Sequence, residues 1–174
     1  DDPAPEDLYE HATVARILKA IRVGGGNINL IIQGMQRARV ERFTQLEPFL
    51  SAEVVRLADT PEEGIEVEAM SRNLALQFRK LVEIHPNLSG DISELTLPED
   101  EPDRLADLVA SVLPIPVSEK MKLLPITSLH ERLETITSRV AREVQVTELG
   151  SQIQSRVMDE VGKTQRQFYL REQL

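Results

Sequence analysis

The side chains able to do chemistry are few, and their spacing does not suit it. His11, His85 and His130 stand far apart, without the paired spacing on one helix face that holds zinc, and no cysteine supplies a thiolate. Glu131 and Glu134 lie near His130, but carboxylates there read as the solvated face of a helix. Gly162-Lys163-Thr164 has the look of the end of a phosphate-binding loop, yet the earlier glycine such a loop needs is Val157 and no strand leads into it. Gly24-Gly25-Gly26 runs on into Asn27-Ile28-Asn29-Leu30, a strand pattern rather than a helix start, so these glycines form a turn. No Ser-x-x-Lys pair or serine elbow occurs. The sequence offers no catalytic residue, no metal ligand and no cofactor-binding residue.

Binding remains. Met35, Phe43, Leu46 and Phe49 fall around strands and their turns, where adaptable Met and flat Phe could grip nonpolar segments of an unfolded chain; about half of the four are expected in the core. Arg37-Ala38-Arg39 with Arg42 reads as the solvated side of a strand, or as a stripe facing an acidic partner.

The elements that must position these residues follow from periodicity. Asn27–Gln33 alternates apolar and polar residues as a half-buried strand does, and the Gly24–Asn27 turn joins it as a hairpin to an earlier strand, Thr13–Val23. Further β runs cover Gln36–Gln45 and, after Pro48, Phe49–Ala58, giving three or four antiparallel strands. So small a sheet leaves edges exposed and calls for upstream strands or a covering helix; unpaired edges also invite strand exchange between two chains. From Thr60 the period changes. Thr60 as N-cap, Pro61 in the first turn and Glu63 predict a helix carrying Val67, Met70, Leu74, Phe78, Leu81 and Val82, stopped by His85-Pro86. Leu105, Leu108, Val109, Val112 and Leu113 form a second stripe ended by Pro114-Ile115-Pro116, with the acidic run Pro98–Asp103 at its positive start. A short helix spans Ser118–Leu124. Ser128 and Glu131 form a capping box for a long helix with Leu129, Leu133, Ile136, Val140 and Val144 on one face. The pattern continues through Leu149, Ile153, Val157 and Val161, with a kink or break expected near Gly150.

Composition agrees with such a chain. With 174 residues, 41% apolar and 3% aromatic, cores must be built from aliphatic side chains. No window is apolar enough to span a membrane, and a formal charge of −9 opposes nucleic acid and anionic lipid. Absence of cysteine suits a reducing cytoplasm. The first residue is Asp rather than Met, and the last helix has no stop signal, so both ends read as cut. The fold class is α+β: a β-rich subdomain over 1–59, a helical bundle over 60–145 and a long terminal helix over 146–174.

Leu8-Tyr9-Glu10, Thr13-Val14-Ala15-Arg16-Ile17-Leu18, Gln33-Gly34-Met35-Gln36-Arg37-Ala38-Arg39-Val40, Asp107–Ser111, Lys122-Leu123-Leu124, Arg132-Leu133-Glu134 and Gln165-Arg166-Gln167-Phe168-Tyr169-Leu170-Arg171-Glu172-Gln173-Leu174 resemble, in order, the amino-terminal region of Lon proteases. His11-Ala12 and Gly162-Lys163-Thr164 depart mildly from that pattern. The resemblance implies an incomplete pseudo-barrel like that of pseudouridine-synthase-associated RNA-binding folds, a helical subdomain and a helix leading to an ATPase. It also implies a parent that is a hexameric, ATP-dependent, bacterial serine protease of the cytoplasm, degrading misfolded and regulatory proteins. ATP, magnesium and a Ser-Lys dyad would lie downstream of Leu174. The fragment itself then has no cofactor; it recognises unfolded or damaged proteins and self-associates, with Ile153, Val157, Val161 and Phe168 on an inter-subunit helix and no nucleic-acid or membrane partner. The alternative is a purely structural module that organises the hexamer.

Overall fold

The computed structural model describes residues 3–60, 62–88, 90 and 96–172, except the side chains of 167 and 169–172. Pro61, part of the expected first cap, lies outside the described residues.

The chain is α+β. Among the described residues, three antiparallel strands come first, β1 (His11–Arg22), β2 (Ile28–Gln45) and β3 (Ser51–Arg56), in the order β1-β2-β3. Four α-helices follow among the described residues: α1 (Ile65–Ile84), α2 (Pro102–Val112), α3 (Val117–Met121) and α4 (Leu129–Glu172). The β1–β2 hairpin closes where the Val23 N–H donates to the Asn27 carbonyl at 3.0 Å. Gly25 and Gly26 take φ of 83° and 82° in that turn, the left-handed region that only glycine enters without strain. The two β runs expected at Asn27–Gln33 and Gln36–Gln45 are one strand of 18 residues. It continues past Gly34 because a register shift between Val14 and Ala15 absorbs one extra β2 residue there as a bulge. β3 is shorter than the expected Phe49–Ala58.

Contacts group the chain into two compact units: residues 1–63 with 115–132, and residues 64–114 with 133–174. That grouping differs from boundaries at 60 and 145. Residues 115–132 group with the sheet.

In the second unit, α1 buries Val67, Leu74, Ala75, Phe78, Leu81 and Val82, the three- and four-residue spacing of an amphipathic helix. α2 adds Leu105, Ala106 and Val109, and α4 adds Leu133, Ile136, Val140 and Val144. The Ser71 hydroxyl donates to the Glu99 carbonyl at 2.9 Å, and Arg79 pairs with the Glu99 carboxylate, so the acidic loop is fastened to α1 as well as leading into α2. α1 stops at His85, as Pro86 requires. It starts late, however. Gly64 caps it at a φ of 136°, and Thr60 does not, because the Thr60 N–H donates to the Thr127 carbonyl at 3.0 Å in an isolated parallel bridge to Ser128. α4 runs unbroken through Gly150 and Gly162 over 44 residues; the expected break does not occur, since both glycines face open space and no packing force bends the helix there.

Candidate functional site

The first unit has little apolar core and much apolar surface. Ala38, Leu123 and Leu129 are its buried aliphatics among the described residues. Val14, Ile17, Leu18, Ile21, Ile28, Leu30, Ile31, Ile32 and Met35 are all exposed along the hairpin. Of the four residues singled out for client contact, Met35, Leu46 and Phe49 are exposed, and Phe43 is half-buried. Phe43 faces Ala52 across the β2–β3 pairing, and the Gln45 side chain donates to the Phe49 carbonyl at 2.9 Å, so Phe43, Leu46 and Phe49 share the β2–β3 end of the sheet. Met35 does not join them. It sits at the β1–β2 bulge, eight strand residues from Phe43, or roughly 26 Å along an extended chain.

The Arg37 stripe is not a solvated one. Arg37 is buried, and its guanidinium donates to the Leu124 carbonyl at 3.0 Å, to the Ile126 carbonyl at 2.5 Å, and to Asp59. Arg132, 1% exposed, grips the same carboxylate with two parallel bonds, Nη1 to Oδ1 at 2.6 Å and Nη2 to Oδ2 at 2.9 Å. Two arginines thus share one aspartate, and the carbonyls of residues 124 and 126 accept further bonds from Arg37. This latch is why segment 115–132 belongs with the sheet. Arg39 and Arg42 do stay exposed, the latter paired with Glu53 across β2 and β3 at 2.7 Å.

A second tie lies beside the latch. The Ser128 hydroxyl accepts the Glu131 N–H at 3.1 Å, the N-cap half of the expected capping box. Glu62 supplies the other carboxylate, accepting the His130 N–H at 3.0 Å at the positive end of α4. The Ser128 hydroxyl, and then the His130 N–H, hold the Glu62 carboxyl below the usual carboxylate range. Nothing local in the sequence marked Asp59, whose partners are 22 and 73 residues away, or Glu62, whose partner is 68 residues away.

α4 becomes an exposed arm beyond Val144: from Gln145 every described side chain except Thr147 is exposed. At about 100° per residue, Val146, Leu149, Ile153, Val157, Val161 and Phe168 fall within a sector about 120° wide. Among the described residues no group of three or more His, Asp or Glu could hold a metal ion, and no helix is long and apolar enough to cross a membrane.

A three-stranded antiparallel sheet followed by helices, the last of them long, is a fold shared with Lon N-terminal domains. It resembles the N-terminal domain of the Mycobacterium avium complex Lon protease (TM-score 0.59, 24% identity, covering 80% of this chain and 75% of that one) and the Lon N-terminal domain protein from Xanthomonas campestris (TM-score 0.53, 20% identity, covering 78% and 71%). Residues 1–142 match the family described as the ATP-dependent protease La (LON) substrate-binding domain, and the chain belongs to that family. It is 34% identical over 174 residues to the Lon protease of Brucella suis biovar 1 (strain 1330) and 38% identical over 175 residues to Lon protease 2 of Myxococcus xanthus, covered in full each time. The chain spans about a fifth of the length of these relatives, 21%.

Proposed function

We propose that this chain is the client-recognising and assembly region of an ATP-dependent Lon protease that degrades misfolded and regulatory proteins in the bacterial cytoplasm. The observation that carries the reading is the apolar surface left open on the sheet unit, where Met35, Leu46 and Phe49 stand exposed although side chains of their type are ordinarily buried. Such a surface suits exposed nonpolar segments of unfolded chains, and the family's description as substrate-binding supports it. In this reading the ATPase with its ATP and magnesium, and a Ser-Lys dyad, belong to the rest of the protease. α4 leads toward them, and the hexamer is held in part through Ile153, Val157, Val161 and Phe168. The test is binding of a fluorescent protein in unfolded and native forms, with light scattering for the oligomeric state. Preference for the unfolded form supports client capture.

A second reading rests on the apolar stripe of the α4 arm, which suits a helix seam between subunits. Here the chain organises the hexamer and touches no client. Self-association without any binding of the unfolded form would select it.

A further inference from the structure

Between α3 and α4, residues Lys122–Ser128 are neither helix nor strand, apart from a single bridge residue, Ser128. The segment is held by its main chain. The Arg37 guanidinium donates to the carbonyls of Leu124 and Ile126, the Thr60 N–H donates to the Thr127 carbonyl at 3.0 Å, and Ser128 bridges to Thr60. Arg37 is itself fixed by the sheet: it pairs with Thr13 in β1, and its carbonyl accepts the Leu57 N–H at 3.0 Å. Asp59 orients the guanidinium.

Bonds to carbonyls form whatever side chains the segment carries, because every residue presents the same acceptor. Such main-chain contacts supply affinity, and pockets for side chains supply the selectivity. Here the side-chain contribution is aliphatic. Leu123 is 6% exposed, Leu124 and Ile126 are half-buried, and the run Leu123-Leu124-Pro125-Ile126 carries no charge. A site that reads carbonyls and buries an aliphatic side chain suits an unfolded chain of varied sequence, and in this structure the protein's own chain fills it.

We infer that segment 122–128 is an intramolecular occupant of a peptide-binding site formed by Arg37, Asp59 and Thr60, and that an uncharged, aliphatic client segment takes its place when it swings out. This rests on the client-recognition reading and specifies its substrate class and its control. A tethered occupant acts at an effective concentration on the order of millimolar, so the site stays closed to dilute peptide. Apparent affinity falls in proportion to the fraction of open sites, so weakening the occupant alone raises it.

The test uses the whole chain and a fluorescent peptide of residues 122–128, Lys-Leu-Leu-Pro-Ile-Thr-Ser. Leu123→Ala removes the buried anchor of the occupant and leaves Arg37, Asp59 and Thr60 in place. It should tighten peptide binding on the order of thirtyfold over the unchanged chain. Adding Arg37→Met should abolish that gain, and Phe78→Ala, a buried position of α1, should give none; circular dichroism checks each fold. A second measurement does not depend on Leu123→Ala folding. The chain has no cysteine, so Val117→Cys, at a site 62% exposed in α3, carries a single dye whose emission should shift when unlabelled unfolded protein binds. Equal peptide binding with and without Leu123→Ala, or a gain that survives Arg37→Met, overturns the inference. So does unfolded protein that binds without moving the dye, in which case the client reading stands. If unfolded protein binds neither the unchanged chain nor Leu123→Ala, that reading has fallen as well.

Discussion

Replacing Asp59 by Ala would leave Arg37 and Arg132, 8% and 1% exposed, as neighbouring like charges without the carboxylate they share. Breaking a buried ion pair from one side costs about 3–5 kcal/mol, chiefly because the surviving charge stays buried and uncompensated. Asp59 is itself 29% exposed, so water can enter, and the Leu124 and Ile126 carbonyls still accept from Arg37; the lower end, about 3 kcal/mol, is the expectation. The penalty should be local, since Arg37, Asp59, Leu124, Ile126 and Arg132 all lie in the unit that holds the sheet. Amide hydrogen exchange reads this directly. Amides of 115–132 should exchange about a hundredfold faster in Asp59→Ala, the factor that about 3 kcal/mol gives at 1.4 kcal/mol per decade. Those of α1 and α2 should change little. Arg132→Met, which removes one charge and leaves Asp59 paired with Arg37, should cost distinctly less. Unchanged exchange at 115–132, or equal acceleration through α1 and α2, would refute the argument that this cluster holds the segment.

Glu62 gives a pH signature. Because its folded pKa lies below the ordinary 4.5, its contribution is complete above that value and is lost as pH falls through the folded pKa; Glu62→Gln should therefore flatten the acid-dependent rise in 115–132 exchange below pH 4.5. Phe78→Ala, at a site 2% exposed among α1's buried residues, should lower stability by about 3–5 kcal/mol, seen as an earlier urea transition in helical circular dichroism. The triple variant Ile153→Ser/Val157→Ser/Val161→Ser removes exposed side chains, so each change should shift folding stability by no more than about 0.5 kcal/mol. Light scattering should nevertheless show self-association lost, and persistence of the oligomer would remove that stripe from the interface.

Local pattern determined a good deal by itself. The alternation around Ile28, Leu30 and Ile32, the glycine turn before it, the stripe from Val67 to Val82 and the stop at Pro86 all follow from side-chain period and backbone stereochemistry within one element. The motifs from Leu8 to Leu174 pointed to the family that residues 1–142 match. Other features depended on partners far along the chain. Arg37 reads in sequence as one more strand arginine, and its burial follows only from Asp59, Leu124 and Ile126 arriving beside it. Thr60 and Glu63 carry a helix-start signal, yet Thr60 is drawn to Thr127 and Glu62 to the amino end of α4, leaving Gly64 to cap α1. Periodicity records which face of an element is apolar; which distant charge or helix end meets a given side chain is decided when the elements pack.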